Sequence, residues 1–276
     1  MHLAQASIEQ YQQQGYLCPI RVLSPQQAAG TRARLEAAEA AQRDGPLGKK
    51  LNQTPHLLFT WLDALVRNEA VLDTVEDVIG PDILCWGGSF FTKEAHTEDY
   101  VSWHQDLTYW GLEPADIVTA WIALSPSTPE SGCMRVVPGS HQHDVIPHTE
   151  TFAAQNLLSR GQEIQVEVDE AAAVDLVLQP GEMSLHHVKL IHGSNPNRSN
   201  DRRIGYAVRY IPTAVRQTAG AEDSAMLVRG VDRYHHFIAE QPPSADLDEA
   251  ALAEHAAVLA RQHKILYRGT DLQDYR

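Results

Sequence analysis

Apolar positions over the first 80 residues recur at helical spacing, and the breaks between them carry start and stop signals. SIEQYQQQGYL has a serine placed to cap a helix and Gly15 to end it, and SPQQAAGTRARLEAAEAAQR opens on Ser-Pro and is rich in Ala, Leu, Arg and Glu. ALVRNEAVLDTVEDVIG repeats apolar residues on one helical face before Gly80 and Pro81. The spacing predicts a helical scaffold over about 1–80 whose role is packing. After Pro81 the pattern shortens. DILCWGGSFFTKE, VTAWIALS, MRVVP, VDLVLQP, GEMSLHHV, KLIHGS and IGYAVRYIP are short β-branched and aromatic runs, separated by PESG, PGSH, QPGE and NPNRSND. Many short strands with turns rather than helices between them predict an antiparallel sandwich or barrel over about 81–212. A final helical pattern, LDEAALAEHAAVLARQHKIL, lies within 213–276. With no internal repeat, low-complexity tract or long linker, residues 1–276 read as one domain.

Inside the strand-rich region, VSWHQDLTYWG at 101–111 sets His104 and Asp106 among apolar and aromatic neighbours. Alternate side chains of a strand share a face, so residues 101–107, if extended at a barrel mouth, aim both groups inward. In a chain with 14 histidines an H-x-D pair is weak by itself, and a hydrogen-bonded pair accounts for it more simply than a metal. KLIHGS adds His192 at the end of an apolar strand, and Arg203 opens the strand RIGYAVRY eleven residues later. An NPNRSND turn that lets these two strands pair antiparallel brings Arg203 beside His192. Two histidines and one carboxylate on one face of an octahedron leave three open positions, the arrangement of non-haem Fe(II) oxygenases. A nearby guanidinium offers a planar fork for a carboxylate. HQHD at 141–144 also has ligand spacing but follows a PGS turn and reads as a loop. His186 and His187 point to opposite faces if extended, which leaves one of them to face a cavity. Tyr234, His235 and His236 read as surface or packing.

Composition narrows the partners. A chain of 276 residues that is 43% hydrophobic can bury a sizeable core. Its net charge of -14, from 36 acidic against 22 basic residues, argues against a nucleic-acid or anionic-membrane surface and leaves a small-molecule substrate. MHLAQASIEQYQQQG lacks a basic head followed by an apolar run, and no stretch of about 18 apolar residues occurs. A soluble cytoplasmic protein is expected, of undetermined oligomeric state. Cys18, Cys85 and Cys133 form no C-x-x-C pair, so neither a disulfide framework nor a zinc ribbon is suggested.

The runs YQQQGYL, FFTKE, WHQD, TAWIAL, ESGCMRVVPGSH, QPGEMSLHH and IHGSNPNRSNDRR, in this order and spacing, resemble the phytanoyl-CoA dioxygenase-like Fe(II)/2-oxoglutarate oxygenases over most of the chain. The resemblance implies a mainly β fold with flanking helices, a double-stranded β-helix of the jelly-roll, cupin-like kind. It implies Fe(II) on His104, Asp106 and His192, 2-oxoglutarate with its distal carboxylate on Arg203 and Ser194, and O2 as co-substrate. Lys93, Gln105 and Trp121 fall where the family places co-substrate or pocket-lining groups, although rim and core packing explain them equally. Halogenating relatives carry a small residue in place of the aspartate. Asp106 is present, so the resemblance favours hydroxylation, with release of succinate and CO2.

The substrate is less legible. Trp103, Tyr109 and Trp110 flank the ligands and can wall a dry pocket, a role no better supported than that of core aromatics. Arg135, Arg160, Lys189 and Arg209 are candidate anion-binding groups, and His187 a candidate pocket residue. These suggest a small polar or zwitterionic metabolite such as an aminophosphonate or amino acid. The alternative is a larger natural product such as an aminoglycoside, its amines received by an acidic rim of Glu94, Glu98 and Asp99. Two readings from another class are a 2-oxoglutarate-binding sensor and a cupin-like metal-binding protein, the latter with no use for Arg203.

Overall fold

The N-terminal helical pattern folds as four α-helices and two short 3-10 turns, with one strand after the first helix. Helix α1 (Gln5–Gln14) ends at Gly15, whose positive φ of 79° lets its N–H reach the Tyr11 carbonyl. Its N-cap is Ala4 rather than a serine, because Ser7 lies inside the first turn. Strand β1 (Tyr16–Arg21) follows at once. Helix α2 (Pro25–Gln42) starts with a reciprocal cap in which the Ser24 hydroxyl accepts from the Gln27 N–H while the Gln27 side chain accepts from the Ser24 N–H. The third pattern is two helices, α3 (Thr60–Val66) and α4 (Glu69–Ile79), not one. Asn68 divides them: its side-chain oxygen accepts from the N–H groups of Ala70 and Val71 and begins a new helix.

The computed structural model describes residues 2–151, 153–158, 162–220 and 222–268. Beyond α4 the chain runs through β2 (Ile83–Lys93), β3 (Val101–His104), the single turn α5 (Leu107–Trp110), β4 (Leu112–Glu113), β5 (Val118–Ala123) and β6 (Met134–Val136). Then come β7 (His148–Glu150), β8 (Gln162–Ile164), β9 (Val174–Leu176), β10 (Glu182–His187), β11 (His192–Ser194) and β12 (Arg203–Pro212). Strands β13 (Arg216–Gln217), β14 (Ser224–Arg229) and β15 (Ile238–Ala239) precede helix α6 (Glu249–Leu266). A seven-stranded sheet has the order β1-β10-β5-β12-β2-β14-β15, and a four-stranded sheet the order β3-β11-β6-β9. Apart from the parallel β14–β15 contact, pairing in the two sheets is antiparallel.

Strand alternation gives the larger sheet two faces of different character. Ile204, Tyr206, Val208 and Tyr210 of β12, with Ile122 of β5 and Leu185 of β10, pack in one buried cluster with Leu35, Leu62, Val66, Val71 and Val258 from the helices. The Tyr210 hydroxyl donates to the Val66 carbonyl at 2.9 Å, tying this face to α3. The opposite face turns toward the smaller sheet: Trp121, Ala123 and Ala207 share a cluster with Met134, Val136 and Leu176. Two sheets face to face with helices on the outer side is the mainly β, helix-flanked architecture expected from the sequence.

Three boundaries differ from expectation. β1 belongs to the large sheet, where Tyr16 pairs with His186 and Leu17 with Leu185, although it lies within the stretch read as helical. The described residues of 213–248 form no helix; β14 there extends the sheet beside β2. The strands carrying His192 and Arg203 do not pair, because residues 195–202 cross from the small sheet to the large one. Asn197 holds that crossover: its amide donates to the carbonyls of Lys93, Glu94 and Asp201, and its oxygen accepts from the Ser199 N–H and hydroxyl. Among the described residues no helix is long and apolar enough to cross a membrane.

Candidate metal and co-substrate centre

His104 ends β3 and His192 begins β11, and the two are direct partners in the antiparallel register. Their rings lie 4.1 Å apart, centroid to centroid. Each Nδ1 sits 2.9 Å from the carbonyl two residues upstream, Ser102 for His104 and Leu190 for His192. A carbonyl can only accept, so both Nδ1 atoms carry the proton and both Nε2 lone pairs are left for the site. Asp106 reaches the same point by a different route from strand alternation. The strand stops at His104, and Asp106 has helical φ and ψ of -63° and -38° at the start of α5. This turn brings Asp106 Oδ1 within 3.4 Å of His104 Nε2. One ligand atom from each of the three lies within 4.8 Å of the others.

Ionisation suits a cation. Burial works to raise the Asp106 pKa, but positive charge in the site, on the imidazoles of His104, His192 and His186 when protonated or on a metal ion bound among them, outweighs it and holds the carboxyl well below its usual range. Burial, reinforced by His104, drives His192 far below the ordinary histidine value. A carboxylate and an unprotonated imidazole are what a divalent metal needs. With a second imidazole beside them, the donor set fits Fe(II) in a facial arrangement.

A narrow cavity runs from this triad toward Arg203, lined also by Thr119, Trp121, His186 and Ser194. Arg203 is 2% exposed, its guanidinium lies 5.3 Å from the Trp121 ring centroid, and its Nε and Nη2 have no hydrogen-bond partner. A buried guanidinium with two unanswered donors fits a carboxylate. Burial lowers its pKa to about 10, which keeps it charged at neutral pH. Lys93 is its partner in the adjacent strand. The Lys93 Nζ donates to Ser194 Oγ at 2.6 Å and to the Asn195 carbonyl. Gly205 makes room for the indole: a Cβ there would lie 1.8 Å from the Trp121 ring.

A second cavity, of about 370 Å³, shares Phe91, Asp106 and Arg209 with the first and is walled by Trp86, Phe90, Tyr109, Trp110, Leu157 and Leu158. Thus Tyr109, Trp110 and Arg209 lie where sequence reasoning looked for substrate residues. Others do not. Trp103 alternates with His104 and points away from the cavities, where Arg135 stacks 5.5 Å from its ring and pairs with Glu170 and Asp175. His187 faces His141 at a ring distance of 5.2 Å, so the cavity histidine of the pair is His186. The Gln105 side chain donates to the Lys189 carbonyl and accepts from the Ile146 N–H, a loop clamp rather than a cavity group. Lys189 donates to the His143 carbonyl. Glu94 pairs with Arg202, and neither it, Glu98 nor Asp99 lines either cavity. Arg160 lies outside the described residues. Thr119 and His186 are each buried with a side-chain atom lacking a partner; Thr119 was not singled out from sequence, and of the histidine pair His187 was chosen in place of His186. Alternation along VTAWIA and EMSLHH was the available signal, once Trp121 faced inward.

A family model described as phytanoyl-CoA dioxygenase (PhyH) matches residues 11–205. A protein of Stutzerimonas stutzeri named as a probable alpha-ketoglutarate-dependent hypophosphite dioxygenase is 31% identical over 188 residues, 65% of this chain and 65% of that one. The peroxisomal phytanoyl-CoA dioxygenase of Homo sapiens is 32% identical over 139 residues, 48% of this chain and 40% of that one. The matched part is therefore less than two thirds of either relative's length. Among solved structures, the apo form of the non-heme monooxygenase ThoJ is 35% identical with a TM-score of 0.86, covering 94% of this chain and 96% of its own. Its nickel complex gives 32% and 0.80, covering 93% and 97%.

Proposed function

The chain belongs to the phytanoyl-CoA dioxygenase family, and on that premise we propose that it is an Fe(II)- and 2-oxoglutarate-dependent dioxygenase hydroxylating a small polar or zwitterionic molecule. The observation that carries this reading is one narrow cavity with His104, Asp106 and His192 at one end and the unpaired Arg203 guanidinium at the other. In the overall reaction a C–H bond, O2 and 2-oxoglutarate give C–OH, succinate and CO2. One oxygen atom enters the substrate and the other the succinate.

His104, Asp106 and His192 hold the iron, which when bound supplies oxygen activation. Arg203 takes the distal carboxylate of 2-oxoglutarate through its Nε and Nη2 donors. Ser194, fixed by Lys93, adds a hydroxyl beside it, and Trp121 backs the guanidinium. The carbonyl bonds to the two Nδ1 atoms hold the imidazoles in orientation. Tyr109, Trp110 and Phe91 exclude water from the approach to the metal.

A cavity of about 370 Å³ lies near the lower end of small-ligand sites. Its walls offer side-chain amides from Asn52, Gln53, Gln162 and Gln262 and the cations Lys49 and Arg209, with Asp106 its one acidic residue among those described. Amides and indole faces suit hydroxyl or ammonium groups and the arginine an anion, so a small amphoteric molecule such as an aminophosphonate or amino acid fits. The relative named for hypophosphite is consistent with a small anion. The test is to incubate enzyme, Fe(II), 2-oxoglutarate and O2 with a panel of small zwitterions and follow succinate and a product heavier by one oxygen. Succinate without any oxygenated zwitterion would count against the substrate class. No succinate with any compound would favour a sensor.

A further inference from the structure

The inner face of strand β12 carries Arg203, Gly205, Ala207 and Arg209, in that order, followed by Ile211. Arg203 pairs across the sheet with Lys93, while Arg209 pairs with Thr119 on β5 and with Gly87 on β2. The six-residue step between the arginines is about 20 Å of extended strand. The register slips between Arg209 and Tyr210, so that Trp86 of β2 is left without a direct partner. Such bulges re-aim side chains beside active sites. Arg209 sits between two aromatic rings, 5.9 Å from Phe91 and 5.7 Å from Trp110. Its Nη1 donates to Ser89 Oγ at 2.9 Å, and among the described residues no carboxylate lies within ion-pair distance.

Arg209, Asp106 and Phe91 line both the metal cavity and the larger one, so the two cavities adjoin at these residues. Lys49, the other cation of the larger cavity, is exposed. Gly205 and Ala207 between the arginines present almost no side chain to the metal cavity. The two cations therefore stand apart along β12, with no other charged side chain between them on that face.

Resting on the oxygenase reading, we infer that Arg209 anchors an acid group of the substrate, a carboxylate, phosphonate or phosphinate, and so fixes which carbon is oxidised. With the acid group on Arg209, the position facing the metal is the carbon bearing that group or the next one along the chain. The remainder extends past Tyr109 and Trp110 toward the amides. The bond broken is thus a C–H close to the acid group, with the atom balance of the overall reaction above. The flanking rings leave the guanidinium little water to lose when the anion binds.

Matched probes test this without knowledge of the physiological substrate. Co(II)-loaded enzyme with 2-oxoglutarate is titrated with β-alanine against β-alaninamide and with 2-aminoethylphosphonate against ethanolamine, the cobalt spectrum reporting binding near the metal. At least one acid of the two pairs is expected to perturb the spectrum at millimolar concentration while its neutral counterpart does not. Arg209→Gln should weaken that response about tenfold or more, Arg209→Lys less so, with affinity for 2-oxoglutarate little changed. Equal responses from acid and neutral partners, no response to either acid, or a loss of 2-oxoglutarate affinity in Arg209→Gln would each overturn the assignment. Unchanged Co(II) stoichiometry certifies that the variants fold. Absence of any spectral change when 2-oxoglutarate is added to wild type is a separate outcome that removes the oxygenase reading itself.

Discussion

His104 and His192 face each other as register partners on two antiparallel strands, each imidazole locked by a bond from Nδ1 to the carbonyl two residues before it. The ligand geometry is therefore built into strand pairing before any metal arrives. Asp106, supplied by the turn after β3, completes it. Asp106→Ala removes the one anionic group of the triad and is expected to bind Fe(II) at least about a hundredfold more weakly and to lose hydroxylation, as anaerobic titration and succinate release would show. Unchanged activity would remove the triad.

Arg203→Ala should separate co-substrate from metal. The guanidinium offers two charge-assisted bonds, and losing them corresponds to about 3 kcal/mol, a hundredfold or more in the 2-oxoglutarate requirement. Fe(II) affinity should stay within about threefold in the same titration. Arg203→Lys restores charge but not the planar fork, so recovery should be partial. Equal loss of metal and 2-oxoglutarate binding would mean that Arg203 acts through the fold.

Gly205→Ala probes the packing beneath that guanidinium. The added methyl would meet the Trp121 ring at 1.8 Å, so the indole must move and Arg203 loses its support. Overpacking of this kind typically costs about 1–3 kcal/mol. A lower Tm, altered tryptophan fluorescence and weaker 2-oxoglutarate binding are expected together; wild-type values of all three would show that Trp121 is free to shift.

Lys93 gives a pH signature. Burial, then the nearby Arg203, lower its amine to about 6 from an ordinary 10.5. Between these values the unfolded chain holds one proton more than the folded one, so this residue makes stability rise with pH across that window. Lys93→Met should flatten the rise, measured by denaturant unfolding from pH 6.5 to 9. An incoming carboxylate favours the charged amine, so 2-oxoglutarate binding near pH 7.5 should take up protons, detectable by calorimetry in buffers of different ionisation enthalpy. No uptake would mean that Lys93 does not sense the co-substrate.

Asn197→Ala should loosen the crossover that delivers Arg203. Its side chain joins three carbonyls and Ser199, and leaving such buried groups unpaired costs about 2–4 kcal/mol. The expected result is a lower Tm and a raised KM for 2-oxoglutarate with Fe(II) affinity retained. An unchanged KM would show that β12 alone positions the arginine.

Sequence grouped His104, Asp106 and His192, which the structure does bring together, for a reason only half correct. Alternation placed His104 inward, but Asp106 arrives by a helical turn, which H-x-D spacing does not reveal. Arg203 was legible as an arginine opening a strand, whereas its distance from the His192 strand was not, since a turn motif does not show whether the chain returns to the same sheet or crosses to the other. Strands β1 and β14 were missed because each lies beside helical patterns. Their pairing depends on β10 and β2, far away in sequence. Trp103 and Arg135 were chosen as residue types suited to pockets, and strand parity turned both outward.

Carrying Arg203 and Arg209 on one strand, with Gly205 and Ala207 between, fixes the separation of the two anion sites by peptide geometry alone. A slip of one residue in β12 would turn all four toward the helices and present Ile204, Tyr206 and Val208 to the metal, which destroys the centre outright. New substrates can therefore be accommodated only by exchanging side chains around Arg209. The spacing itself is closed to gradual change, and that confines divergence to what the acid group is attached to.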